Sequence, residues 1–128
     1  MNDVKERLKE ITQLFLAPEL NYSVVRNACA LLSALFCEVT GFEFDSKENQ
    51  EHICTHAGLS VSPYAAAFCI TDMMRTRGFL LGIKEAIEKK LKENNGKPVI
   101  VLYAGTGPFA SLLTRLQQFF LLLNCNWC

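Results

Sequence analysis

Apolar and polar residues follow a helical spacing along the N-terminal part of the chain. Residues 4–15 place apolar side chains three and four positions apart until Pro18, which predicts an amphipathic helix that stops before the proline. A second predicted helix starts at Asn21 or Ser23, either of which can act as its N-cap, and ends at Gly41. Its apolar positions cover most of the circumference, so we expect this helix to be buried on most sides.

The middle of the chain alternates between irregular and helical patterns. Residues 42–60 mix charge, Gly and Ser with little periodicity, which predicts a connector with one short helix near 47–54. Ser62 followed by a proline is a helix start, so a third helix is predicted from there toward Arg75. A fourth predicted helix covers about 77–94, with one apolar and one charged face.

The pattern changes after the turn residues that end the fourth helix. Residues 99–103 form a short, continuous, β-branched-rich run, which is typical of a strand buried on both faces of a parallel sheet. A Gly-Thr-Gly turn at 105–107 and an apolar helical segment from Ala110 follow. Strand, Gly-rich turn and helix form the first unit of a dinucleotide-type fold, in which backbone N–H groups at the helix start approach a ligand. A tight turn without a ligand is the alternative interpretation.

Length and charge restrict the classes of function. With 128 residues, half of them apolar, the chain has enough material for one compact core. Lys plus Arg and Asp plus Glu are equal at 13 each, which disfavours a nucleic-acid partner. The uninterrupted apolar runs, 119–123 among them, are too short to span a bilayer, and the polar first residues do not resemble an export signal. We therefore expect a cytoplasmic protein without a membrane partner, with its six cysteines reduced.

Two groups of residues have side chains that can bind a metal or undergo redox chemistry, and each also has a simpler structural explanation. His52, Cys54 and His56 alternate within the connector, but this spacing is not a standard zinc pattern, and an ordinary polar connector is favoured. Cys125 and Cys128 form a Cys-x-x-Cys without a second pair or a redox-type context. No metal site is predicted.

Between residues 60 and 113 the chain resembles the class I S-adenosylmethionine-dependent methyltransferases, most closely those related to protein arginine methyltransferases. In that family a helix bearing Asp-x-x-Arg-Thr-x-x-Phe/Tyr and an Ala-Ile helix precede the strand and the Gly-rich loop. The matching residues here are Asp72, Arg75, Thr76, Phe79, Ala86 and Ile87, followed by Val101-Leu102-Tyr103-Ala104-Gly105-Thr106-Gly107.

The resemblance implies a binding site for S-adenosylmethionine. Arg75 would pair with the cofactor carboxylate, and Met73 or Met74 would pack near its sulfonium. The loop residues Gly105, Thr106 and Gly107 would line the amino-acid end. An Asp72–Arg75 pair at i, i+3 spacing, or a cation satisfying helix-end carbonyls, is the purely structural alternative for Arg75.

The implied fold is mainly α, with a helical N-terminal region, 1–97, followed by the first β-α unit of an incomplete Rossmann-like methyltransferase fold, 98–128. The loop departs from the family pattern, because Tyr103 stands where an acidic residue is usual and Phe109 where a third Gly is usual. The later strands, with their ribose-binding and catalytic carboxylates, have no counterpart. We therefore expect a truncated methyltransferase-like protein that is inactive by itself, with no catalytic residue and no methyl acceptor assigned.

A non-catalytic helical interaction or dimerisation module is the alternative function. A single parallel-type strand leaves both of its edges unpaired and both of its faces apolar, and few elements remain to cover it. We therefore expect a homo-oligomer, most simply a two-fold homodimer. The terminal Cys125-Asn126-Trp127-Cys128 has no evident structural role, so we also expect residues from Arg115 onward to be out of frame and the chain to be a truncation of a longer methyltransferase.

Overall fold

A computed structural model describes residues 2–95, 97–102, 108–109 and 125–127. The helices are α1 (Asn2–Leu16), α2 (Tyr22–Thr40), α3 (Lys47–Gln50), α4 (Pro63–Phe68) and α5 (Met73–Glu93), with a 3-10 turn at Cys69–Thr71. Strands β1 (Ile53–Thr55) and β2 (Gly58–Ser60) form an antiparallel hairpin, whereas β3 (Val99–Val101) pairs in parallel with β4 (Cys125–Trp127). The predicted mainly helical class is confirmed.

The core lies where α1, α2 and α5 meet. Its largest fully buried apolar side chains are Phe15 from α1, Leu32 and Leu35 from α2, and Leu80 from α5. Burial of one such side chain contributes about 1.5–3 kcal/mol, so these residues dominate the stability of the helical region. Partly buried residues from the adjoining segments, including Val101 of β3, pack against this cluster.

Helix α2 is buried on one side, and the prediction of burial on most sides is wrong. Leu31 and Val39 remain 44% and 54% exposed, because α1 and α5 contact only the opposite side of the helix. By length and apolar composition α2 would be long enough to cross a membrane. The core helix of a soluble protein has the same two properties, and α2 contributes six buried residues to this core.

Local capping fixes both ends of α2 as predicted. The side chain of Asn21, rather than that of Ser23, accepts a hydrogen bond from the Val24 N–H at 3.2 Å. At the other end Gly41 adopts a left-handed conformation with φ 68°, and its N–H donates to the Cys37 carbonyl at 2.9 Å. A left-handed C-terminal residue is accessible to glycine at little cost, which explains why the helix ends there.

A bidentate ion pair joins α1 to α2 at the surface. Arg7 donates from its two terminal nitrogens to the two carboxylate oxygens of Glu38, at 3.0 and 2.9 Å. These hydrogen bonds lower the pKa of Glu38 and raise that of Arg7. Because the pKa of Glu38 is lower in the folded protein, the pair stabilises the fold at neutral pH, and this contribution is lost as the pH falls through that pKa.

Two predicted helix boundaries are wrong, and one hairpin was not predicted. The third helix ends at Phe68 instead of continuing toward Arg75, and the fourth begins at Met73 instead of Arg77, because Asp72 caps a new helix after the 3-10 turn. The connector 42–60 contains the short helix α3 but also the β1–β2 hairpin, which the sequence pattern did not indicate. All six residues of the two hairpin strands are exposed, so no alternation of apolar and polar residues marks them.

The end of the chain also differs from expectation. The segment expected to have no structural role supplies β4, whose residues 125–127 pair with 99–101 in parallel register. One edge of β3 is therefore paired within the chain, and the expectation that both edges are open is wrong. The predicted helical segment from Ala110 and most of the supposed out-of-frame tail lie outside the described residues.

An aromatic cluster holds the segment after β3 against the helical region. Phe109 is buried and stacks on Phe36 of α2, with ring centroids 5.3 Å apart, while Phe42 meets the Phe109 ring edge-on at 5.3 Å. Phe44 adds edge contacts to Phe42 and to Tyr64 of α4. Such offset and edge-to-face geometries are the favourable ones for aromatic pairs. Phe109 therefore serves as an anchor.

Neighbouring leucines on α2 provide a test of this core. We expect Leu32→Ala to lower the free energy of unfolding by about 2–5 kcal/mol, because Leu32 is fully buried and its removal leaves a cavity. Leu31→Ala makes the same chemical change one position away, on the exposed side, and is expected to cost less than about 1 kcal/mol. Urea denaturation followed by circular dichroism measures both, and equal losses would contradict this placement of α2.

Candidate functional site

The first turn of α5 carries the charged residues of the methyltransferase-like motif. The Asp72 carboxylate accepts a hydrogen bond from the Arg75 backbone N–H at 3.1 Å, which makes Asp72 the N-cap. The Asp72 carbonyl accepts from the Thr76 N–H at 2.9 Å and begins the helix. The spacing of Asp and Arg in the motif is thus explained by capping, because an N-cap carboxylate bonds the backbone two or three residues further on.

The side chain of Arg75 is exposed and held from two sides. One of its terminal nitrogens donates to the Cys69 sulfur at 3.6 Å, and its guanidinium carbon lies 5.8 Å from the centre of the Phe79 ring. Within the described part of the chain Arg75 forms no ion pair with a carboxylate, Asp72 included. The guanidinium is therefore positioned by a sulfur and an aromatic ring and remains available for an anion.

The two methionines before Arg75 point in different directions. Met73 is partly buried and packs against the hydrophobic core, whereas Met74 is 46% exposed. Successive residues of a helix differ by about 100° in direction, so both cannot face the same surroundings. Of the two residues that the resemblance places near a sulfonium, Met74 is the one open to solvent beside Arg75.

The other residues of the motif have structural positions. Thr76 is buried, and its hydroxyl donates to the Ile70 carbonyl at 3.3 Å, which fixes the 3-10 turn against α5. Ile87 is buried in the core, while Ala86 is exposed. The loop residues Gly105, Thr106 and Gly107 lie outside the described residues. The structure therefore brings Asp72, Arg75 and Phe79 together and leaves the loop half of the site untested.

Arg77 is a contact residue that the sequence analysis overlooked. Its terminal nitrogen donates to the Ala17 carbonyl at 2.8 Å, and this bond ties α5 to the segment between α1 and α2. Its Nε is buried and has no hydrogen-bond partner among the described residues. This contact of Arg77 could not be predicted from the sequence, because its partner is a backbone carbonyl 60 residues away.

The alternating His52, Cys54 and His56 lie on and beside strand β1, where all three are exposed. His52 uses its Nδ1 for backbone contacts, at 3.0 Å from the Ser62 nitrogen and 3.2 Å from the Ser60 oxygen. No three His, Cys, Asp or Glu side chains of the described segments come close enough together to hold a metal ion. The polar-connector reading thus accounts for the observed contacts of His52.

Substitutions of Asp72 distinguish a helix cap from an ion-pair partner. We expect Asp72→Ala to lower the free energy of unfolding by about 1 kcal/mol, because the Arg75 N–H loses its acceptor. Asp72→Asn keeps an acceptor at the same place and is expected to cost clearly less. Urea denaturation of both variants is the measurement. A similar loss for Asn and Ala would mean that the charge of Asp72, and not its capping bond, matters.

No known relative supports or opposes these assignments. The chain matches no protein-family model, no curated protein and no solved structure.

Proposed function

We propose that this chain is a methyltransferase-like protein whose helical region retains part of a binding site for S-adenosylmethionine, and that it does not transfer methyl groups by itself. In this proposal 98–128 is the beginning of a Rossmann-like cofactor-binding unit, and the protein is cytoplasmic. The parallel pairing of β3 with β4 is compatible with such a unit, since parallel pairs are characteristic of α/β folds. No methyl acceptor is assigned.

The observation that carries the proposal is the position of Arg75. Its guanidinium stands at the first turn of α5, exposed, fixed by Cys69 and Phe79, and without a carboxylate partner in the described segments. A planar guanidinium binds a carboxylate through two parallel hydrogen bonds. The amino-acid end of S-adenosylmethionine carries such a carboxylate, and the preceding residue Met74 is also exposed.

The residues present fit only one end of the cofactor. Arg75 can hold the carboxylate, and Met74 can contact the region of the sulfonium, whereas the ribose and the adenine have no assigned partners. A ligand held by part of its contacts must still lose its full translational and rotational freedom, so the expected affinity is low. When bound, the cofactor would supply an activated methyl group. The described residues would only bind and orient it.

Titration with S-adenosylhomocysteine, followed by nuclear magnetic resonance, tests this proposal. We expect saturable shifts of the Met74 and Arg75 resonances with a dissociation constant on the order of 1 mM, which is the range for a ligand held by few contacts. Arg75→Ala should abolish these shifts. Arg26→Ala, which removes an exposed arginine from α2, should leave them unchanged. Absence of shifts in the unaltered chain would exclude a surviving cofactor site and favour an interaction module.

A second candidate function, homodimerisation, is supported by the uncovered face of β3. Val99 is buried against the helical region, but Ile100 and Leu102 are 73% and 77% exposed. Parallel sheets are normally covered on both faces, so an apolar face open to water is a candidate for a subunit contact. A two-fold dimer would bring two copies of this face together.

Light scattering over a concentration series tests for the homodimer. We expect the unaltered chain to show the mass of two chains at micromolar concentration, and Ile100→Lys to shift it to a monomer because two buried lysines would face each other. Leu59→Lys changes a similarly exposed apolar strand residue of the β1–β2 hairpin and should leave the dimer intact. A monomer at every concentration of the unaltered chain would contradict this function.

A further inference from the structure

His52 contacts two backbone groups that make opposite demands on the same nitrogen. Its Nδ1 lies 3.0 Å from the backbone nitrogen of Ser62 and 3.2 Å from the backbone oxygen of Ser60. The first group is a hydrogen-bond donor and the second is an acceptor. A ring nitrogen of histidine either carries a proton and donates or lacks one and accepts. Nδ1 can therefore satisfy only one of the two groups at a time.

The presence or absence of a proton on Nδ1 decides which bond forms. In the neutral ring with its proton on Nε2, Nδ1 accepts from the Ser62 N–H. In the imidazolium ring both nitrogens donate, so Nδ1 binds the Ser60 carbonyl and the Ser62 N–H loses its acceptor. Gain of one proton thus exchanges a bond to the start of α4 for a bond to strand β2.

The bond to Ser62 matters because this residue starts a helix and is buried. Ser62 is 2% exposed, and its hydroxyl accepts from the Ala65 N–H at 3.2 Å as the N-cap of α4. A buried N–H without an acceptor destabilises the conformation that buries it. Ser60, by contrast, is exposed and is already held in the hairpin through its register with Ile53. The two alternative bonds are therefore not equivalent for the fold.

We propose that His52 is a pH-dependent latch that holds the β1–β2 hairpin to the start of α4 when its ring is neutral and releases α4 when the ring is protonated. The latch does not depend on the proposed cofactor site. The titratable or charged side chains on the neighbouring elements are Lys47 and Glu48 on α3, Glu51 beside His52 in the chain, Cys54 and His56 on the hairpin, and Tyr64 on α4. None of them forms an ion pair with His52 in the described part of the chain.

Nitrogen-15 spectra of the imidazole ring and hydrogen exchange of the Ser62 amide test the latch in the full chain. At about pH 8 we expect His52 to carry its proton on Nε2 and the Ser62 amide to be protected. At about pH 5 the protection factor, corrected for the intrinsic exchange rate, should fall by about tenfold or more. A proton on Nδ1 at the higher pH, or equal protection at both, would overturn the proposal.

Two matched variants separate the latch from a general effect of pH. His52→Asn places an amide oxygen close to the position of Nδ1 and gains no proton in this range, so Ser62 should stay protected at both pH values. His56→Asn removes the other histidine of the chain, which lies in the hairpin turn, and should leave the pH dependence unchanged. A pH dependence that survives in His52→Asn, or disappears in His56→Asn, would show that His52 is not the responsible group.

Discussion

The packing of α5 against α1 and α2 is the interaction on which the rest of the molecule depends. Leu80 of α5 meets the buried face formed by Phe15 and Leu32, and Arg77 adds a hydrogen bond to the segment between the first two helices. Short elements such as α3, α4 and the hairpin bury too little apolar area to be stable alone. The 3-10 turn that precedes Arg75 packs on both α2 and α5, so its position follows from where these helices are held.

Two residues of the Asp-x-x-Arg-Thr sequence stabilise the fold, and the arginine remains available for a ligand. Asp72 caps the helix and Thr76 anchors the 3-10 turn, so either residue would be required in a protein that binds no ligand. Arg75 has no such task in the described segments, since an exposed guanidinium over an aromatic ring contributes little to stability. Of these three residues, only Arg75 is therefore available to bind a ligand.

Aromatic contacts fix Phe109, which follows β3 in the chain, to the helical region. Phe109 is buried against Phe36 and Phe42, and therefore a residue of the segment following the strand is fixed to the end of α2. A glycine at that position would provide close approach to a ligand but no anchor. This contact of Phe109 joins the two predicted regions, 1–97 and 98–128.

The sequence alone determined the features that depend on neighbours a few residues away. The N-cap at Asn21, the left-handed end at Gly41, the helix start at Ser62 and the strand beginning at Val99 all follow from local backbone chemistry. The break at Asp72 is also local, and the sequence predicted it a few residues too late, between Arg75 and residue 77. An N-cap signal at Asp72 is present in the motif, but from the sequence Asp72 was considered only as an alternative ion-pair partner of Arg75.

Only the tertiary structure decided which faces are buried and which distant groups meet. The one-sided burial of α2, the contact of Phe109 with Phe36, the pairing of β3 with β4 and the position of His52 between Ser60 and Ser62 each join residues through the fold. The spacing of apolar residues predicts which side of a helix is apolar. Whether that side is buried depends on how many elements surround the helix. Likewise, the sequence around His52 does not indicate its hydrogen-bond partners, because the backbone groups of Ser60 and Ser62 reach Nδ1 only through the fold of the hairpin.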